Sequence, residues 1–261
     1  MDPGRALITG AGSRIGRALA LDLARAGWDV AVHYNRSAEG AERTAEEAGQ
    51  HGVRAAALGA DLLDWAATEA LVQRGAEALG GPLTLLVNNA SIFEPDAIGS
   101  VTEESWTRHV GSNLRAPLQL IQAFAGQAPE VGRDAGGEPV ATGLVINMVD
   151  QRVLKPTPFF ATYTIAKIGL WGLTRTAAQG LAPRIRVNAL GPGPTVQGVR
   201  QSPEHFAAQR AATPLGRGSS PEEMCRGMQF LIGADGLTGQ LICLDGGQHL
   251  AWQTPDVLGT E

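Results

Sequence analysis

Seven short, β-rich apolar runs recur along the chain: RALIT (5–9), DVAVHY (29–34), VRAAAL (53–58), LTLLVNN (83–89), GLVINM (143–148), IRVNAL (185–190) and LICL (241–244). Between the first six lie amphipathic or Ala-rich stretches whose spacing predicts helices near 14–26, 38–50, 64–79, 103–127 and 160–181. A further helix is expected near 221–233, ahead of the last run. Strand followed by helix followed by strand is the pattern of a parallel sheet covered by helices on both faces. The fold class expected is therefore α/β, a doubly wound parallel sheet. No repeat and no linker divides the chain, so residues 1–261 read as a single domain.

Two stretches interrupt the rhythm. Residues 129–142, PEVGRDAGGEPVAT, combine Pro, Gly and charge and read as a surface excursion between a helix and a strand. Residues 191–220 run from GPGPT to GRGSS with a short helical piece near 203–212. A connection of that length at the carboxyl end of a strand is expected to act as a substrate loop or lid, the alternative being an ordinary surface loop.

Composition narrows the class without changing it. A formal charge of −5 argues against nucleic acid or an anionic membrane as a partner. No apolar run approaches the ~18 residues of a membrane span, and the N-terminus lacks the features of a signal peptide. Cys225 and Cys243 lie far apart and outside any metal-ligand spacing, so both read as buried free thiols in a reducing compartment. A cytoplasmic protein acting on a small molecule, without a metal, is the expectation.

The first strand runs into TGAGSRIG (9–16) and directly into a helix. A strand, a glycine turn and a helix start bring backbone N–H groups and the positive helix end to a pyrophosphate. Gly10 permits the tight turn, Gly12 adds freedom and Gly16 lets the helix approach the sheet. The second strand ends in HYNRS, twenty residues after Gly16, where NAD enzymes carry an acid for the ribose 2′-hydroxyl. Here Asn35 is neutral, and Arg36 and Ser37 suit a 2′-phosphate, which points to NADP(H). Arg14 places a further cation near the phosphates. Asp61, with Leu62 beside it, is read either as an acceptor for the adenine amino group or as a helix N-cap.

Tyr163 and Lys167, four residues apart, share one helix face, and Asp150 precedes the tyrosine by thirteen residues. An ammonium within ~4–6 Å is expected to stabilise the phenolate and lower its pKa. A phenol so tuned trades a proton with substrate while hydride moves to or from a nicotinamide.

With these motifs in this order, the chain resembles the short-chain dehydrogenases/reductases along essentially its whole length. TGAGSRIG at 9–16, DLL at 61–63, NNAS at 88–91, Asn113 in VGSNL, YTIAK at 163–167, RVNALGPGPT at 186–195 and LICLDGG at 241–247 carry the resemblance. It implies a Rossmann-like fold, a nicotinamide cofactor and a homotetramer assembled on the helices near 103–127 and 160–181. It also implies that Tyr163 donates the proton, that Lys167 holds the nicotinamide ribose, and that Asn113 anchors a water leading to Lys167. Cofactor contacts are implied at Gly10, Arg14, Ile15, Gly16, Tyr34, Asn35, Arg36, Ser37, Asp61, Leu62, Asn89, Ala90, Ser91, Tyr163, Lys167, Pro192 and Gly193, with NADPH as the cofactor.

Two departures from the common pattern select a subgroup. Arg14 stands where most members have Gly, and Asp150 where most have a Ser that bonds a substrate carbonyl. An ionised carboxylate only accepts hydrogen bonds, which suits ring N–H and amino groups better than a ketone oxygen. HYNRS, NNASIF (88–93), NMVD (147–150) and GPGPT (191–195) resemble the pteridine reductases, and the bacterial dihydromonapterin reductases also place Asp at position 150. On that resemblance Phe93 stacks on a pterin ring, Ser91 touches substrate and cofactor, and Asp150 with Tyr163 handles protons at the ring nitrogens. Two other readings stay open: an NADPH-dependent reductase of a carbonyl or 3-oxoacyl thioester, and a non-catalytic NADP(H) sensor.

Overall fold

In the computed structural model, which describes residues 1–252, the expected runs become strands β1 (Arg5–Ile8), β2 (Asp29–Tyr34), β3 (Ala55–Gly59), β4 (Leu85–Asn88), β7 (Gly143–Met148), β8 (Ile185–Pro192) and β9 (Leu241–Leu244), with β5 (Gly132–Arg133) and β6 (Pro139–Val140) forming a small hairpin. Residues 253–261, the end of the expected single domain, lie outside the described residues. The seven main strands form one sheet in the order β3-β2-β1-β4-β7-β8-β9, every neighbour parallel. Helices α1 (Arg14–Arg25), α2 (Ala38–Gly49) and α8 (Pro221–Gly233) cover one face, and α3 (Trp65–Ala78), α5 (Ala116–Gln127) and α6 (Ala161–Leu181) the other.

Alternation along the strands divides the core between the two faces. Ala6, Ile8, Val30, Val32, Val87 and Ile146 pack with Leu19, Leu23, Met224 and Met228. Their neighbours Leu7, Ala31, Leu86, Val145 and Val187 pack with Leu71, Leu120 and Phe124. Each fully buried Leu or Phe contributes about 1.5–3 kcal/mol relative to exposure. The chain crosses from one half of the sheet to the other between β1 and β4. Their carboxyl ends therefore diverge into a crevice, the place where open α/β sheets bind ligands.

The helix expected near 103–127 is helical over all those residues, as α4 (Glu103–Val110), a widened turn at Gly111–Arg115, closed by the Ala116 N–H on the Gly111 carbonyl, and α5. Pro117 has no N–H to continue the ladder onto residue 113, so one extra residue is accommodated there. The excursion at 129–142 carries the hairpin β5–β6. In the connection 191–220, β8 runs on through Pro192, and the helical piece expected near 203–212 is α7 (Pro203–Ala211). Of the two thiols expected to be buried, Cys225 is, whereas Cys243 is half-buried in the edge strand β9. Burial raises both to about 12. Among the described residues no helix is long and apolar enough to cross a membrane.

Phe124 is fully buried on the α3/α5/α6 face. Phe124→Ala is expected to cost about 3–5 kcal/mol, measured as the shift in unfolding free energy in urea.

Candidate active site

The turn after β1 is shaped by what its residues lack. Gly10 has φ +65°, and a Cβ there would stand 2.9 Å from the Ala90 Cα. At Gly16 a Cβ would fall 2.3 Å from the Gly10 carbonyl and 2.5 Å from Asn89 Nδ2, so no side chain fits between helix and turn. Polar groups then fix the turn against β4. Thr9 Oγ1 accepts from the Asn89 and Ala90 N–H groups, each at 2.9 Å, and Asn89 Nδ2 donates to the Thr9 carbonyl at 2.8 Å.

His33 completes this frame. Its Nδ1 accepts from the Gly10 N–H at 3.1 Å, so the ring proton lies on Nε2, which donates to the Ala60 carbonyl at 3.0 Å. Burial lowers its pKa to about 4, and the neutral ring links the ends of β1, β2 and β3. His33 opens the HYNRS motif, but nothing in the linear pattern gave it this supporting role.

A cavity of about 800 Å³ extends from this turn across the strand ends. It is lined by Gly10, Arg14, Ile15, Gly16, Tyr34, Asn35, Arg36, Ser37, Asp61, Leu62, Asn89, Ala90, Ser91, Phe93, Asp150, Tyr163, Lys167, Pro192 and Gly193. Every expected site residue except Asn113 is among them. Arg36 is exposed beside the cavity, at the end of β2. Asp61 accepts from the Leu63 N–H at 2.9 Å and from Asn35 Nδ2 at 3.3 Å, while Asp64, not Asp61, caps α3. Arg14, at φ +53° in the glycine turn, donates from its guanidinium to the carbonyls of Gln197 (2.9 Å) and Val196 (3.2 Å), tying the turn to the connection after β8.

At the far end of the cavity, β7 delivers Asp150 and the second residue pair comes from the first turns of α6. The Tyr163 hydroxyl donates to Asp150 Oδ2 at 2.8 Å, and Asp150 Oδ1 accepts from the Arg152 N–H at 2.8 Å. Lys167, 2% exposed, donates from Nζ to the Met148 carbonyl at 2.7 Å and lies 5.6 Å from the centre of the Tyr163 ring. The electrostatics differ from the sequence expectation of a lowered phenol pKa. Burial, then the charge and hydrogen bond of Asp150, push Tyr163 well above its ordinary value, with Arg152 and Ser91 pulling weakly the other way. Burial also lowers Lys167 to about 8, against an upward pull from Asp150. The phenol is thus held in its protonated form.

Asn113 is fully buried beneath the cavity, and the widened turn aims it at one peptide. Its Oδ1 accepts from the Ile92 N–H (3.0 Å) and the Ser112 hydroxyl (3.1 Å), and its Nδ2 donates to the Ile92 carbonyl (2.8 Å). Its place here is to hold the segment carrying Ser91 and Phe93. Phe93 stacks on Phe160, with ring centres 4.1 Å apart and planes 13° apart, and meets the Tyr163 ring edge-on at 4.7 Å. One face of Phe93 is thereby covered. Phe160, Arg152 and Arg200 also line the cavity, and Arg200 donates to the Phe93 carbonyl at 2.5 Å. Sequence reasoning passed over these three, which lie between motifs.

A family model described as short chain dehydrogenase matches residues 5–206. The chain belongs to the short chain dehydrogenase family. Within it, 3-oxoacyl-(acyl-carrier-protein) reductase FabG of Staphylococcus aureus is 32% identical over 250 residues, covering 94% of this chain and 98% of the relative. A solved structure, FolM alternative dihydrofolate reductase 1 from Brucella suis in complex with NADP, is 43% identical with a TM-score of 0.90, covering 97% of this chain and 98% of that one. A short chain dehydrogenase from Burkholderia cenocepacia in complex with NADP is 31% identical with a TM-score of 0.83, covering 94% and 97%. The doubly wound sheet expected of the family is the one observed.

His33 makes acid stability a test of the frame. Unfolded histidine protonates below its ordinary value of 6.5 while the buried ring resists until about 4, so stability is lost as pH falls through that window. The excess stability of wild type over His33→Gln is expected to shrink by about 3 kcal/mol between pH 7 and pH 4, followed by chemical denaturation.

Proposed function

We propose that the protein is an NADPH-dependent pteridine reductase. The observation that carries the reading is the 2.8 Å hydrogen bond between the Tyr163 phenol and a carboxylate, Asp150, at a position where the family commonly has serine. The residues present fit the cofactor. No side chain fills the space at Gly10 and Gly16, the Arg36 guanidinium is exposed beside the cavity for a 2′-phosphate, and the Lys167 ammonium lies at the inner end. NADP in the FolM structure, 43% identical to this chain, supports the same choice. When bound, NADPH supplies the hydride.

The chain's own residues supply the proton and the orientation. Tyr163, held protonated by burial and by Asp150, donates to a ring nitrogen as negative charge develops there. Asp150 accepts N–H groups that a neutral serine would hold less strongly. Phe93 offers its free face to a flat heterocycle. Lys167, as an ammonium, steadies the tyrosine after the proton has left.

The FabG relatives favour a second reading, reduction of a 3-oxoacyl thioester. Following NADPH absorbance with dihydrobiopterin, dihydromonapterin and a 3-oxoacyl thioester separates the two. Turnover of the thioester with none of either pterin discards the pteridine assignment, and tight NADPH binding without consumption of any substrate restores the sensor.

Tyr163→Phe is expected to lower kcat by about 10²–10⁴. Asp150→Ser is expected to abolish pterin reduction, whereas a thioester reductase tolerates serine; steady-state kinetics on both substrates reads the difference. Lys167 loses its charge as pH rises through about 8, so reductive kcat is expected to fall above that pH, and a Lys167→Arg variant to keep its rate to higher pH.

A further inference from the structure

The first turn of α6 lacks a cap of its own. Its N-cap residue is Phe160, which has no acceptor side chain and sits at φ +60°, ψ +49°. A non-glycine residue in this region is strained and persists only where its surroundings enforce it. By contrast α3, α7 and α8 are capped locally by Asp64, Ser202 and Ser220.

The missing acceptor comes from a residue 66 positions upstream of Thr162. Asp96, 8% exposed, gives its backbone carbonyl to the Phe160 N–H at 2.7 Å and its Oδ1 to the Thr162 N–H at 3.2 Å. Its Oδ2 accepts the Thr162 hydroxyl, and Ala97 pairs with Phe159 in an antiparallel bridge. A carboxylate at a helix start is also favoured by the helix dipole. Burial raises the Asp96 pKa, but hydrogen bonds, led by those from Thr162, outweigh it and hold the carboxyl below its usual range.

His109 of α4, fully buried, closes the arrangement from the other side. Its Nε2 accepts the Glu94 N–H at 3.0 Å, which places the ring proton on Nδ1, donated to Thr162 Oγ1 at 2.7 Å. Glu94 is in turn paired with Arg108 at 2.7 Å. Thr162 therefore receives one hydrogen bond from His109 and gives one to Asp96, and the next residue is Tyr163. The ring of His109 meets that of Tyr163 edge-on at 6.1 Å. Glu94 and Asp96 belong to the segment that carries Ser91 and Phe93.

We propose that Asp96 and His109 are positioning residues which, through Thr162, fix the height of Tyr163 relative to the Phe93 platform. The proposal rests on the reading of Tyr163 as the proton donor. A phenol displaced by ~1 Å from its acceptor loses about 10²-fold in rate, and among the described residues no other side chain caps this turn.

The test uses the full-length protein with dihydrobiopterin, or with the 3-oxoacyl thioester where that is the compound turned over. Thr162→Val keeps the shape and removes the hydroxyl, Thr162→Ser keeps the hydroxyl, and Asp96→Asn keeps an acceptor oxygen. Thr162→Val is expected to lower kcat at least about tenfold while KM and the Kd for NADPH, read from its fluorescence, stay within about twofold; Thr162→Ser restores kcat to within about threefold. Asp96→Ala is expected to speed amide exchange at residues 161–164 by about tenfold or more, without altering the sheet, and Asp96→Asn to reverse most of that. Wild-type kcat in Thr162→Val overturns the proposal. So does a loss that Thr162→Ser shares, or one matched by an equal rise in the Kd for NADPH. Should Asp96→Ala not fold, the valine–serine pair decides alone. Full turnover by Tyr163→Phe defeats the proton-donor reading instead, whereas an inactive Tyr163→Phe beside a fully active Thr162→Val defeats only the positioning role.

Discussion

A buried phenol and a half-buried carboxylate share one hydrogen bond just beyond the end of β7, and most of what surrounds them serves to make that contact possible. Asp150 lies two residues beyond β7, an inner strand of the sheet, while Tyr163 stands on the first turn of a 21-residue helix packed across it. Burial and the neighbouring carboxylate both raise the energy of the phenolate, so Tyr163 keeps its proton. Lys167 supplies the compensating charge from beneath, and burial makes that charge easy to lose. A serine at position 150 would remove the anion from beside the phenol while leaving the burial of Tyr163 and Lys167 in place.

The sheet itself was largely legible in the sequence. DVAVHY, GLVINM and LICL match β2, β7 and β9 residue for residue, and the PEEMC start of α8 follows Ser220, whose capping box with Glu223 defines the helix end. The widened turn at Gly111–Arg115 was not legible. One added residue barely disturbs hydrophobic periodicity, although Pro117 was in view as the place where a helical ladder must fail. The line-up of cavity residues was legible through motifs, because glycine turns and the Tyr–Lys pair are local in sequence.

The supports behind those residues were not. His33 bonds across 23 positions, His109 to Thr162 across 53, and Asp96 to Thr162 across 66. Each is a polar residue that a linear pattern assigns to a strand, a helix or a loop with nothing further to say. Their weight comes from burial, where an unpaired polar group is costly and a paired one fixes geometry. The phenol pKa was misjudged for the same reason. Sequence spacing places an ammonium near the tyrosine, but only the fold shows that solvent is excluded and that the nearer ionic neighbour is an anion.

Arg14 has a consequence of another kind. The same guanidinium belongs by position to the glycine turn and by hydrogen bonding to Val196 and Gln197. A ligand that draws this side chain toward its own anionic group takes two tethers from the chain after β8, and a ligand that reorders those carbonyls returns the side chain to the turn. Any such exchange passes through one side chain, the tie between the glycine turn and the chain after β8.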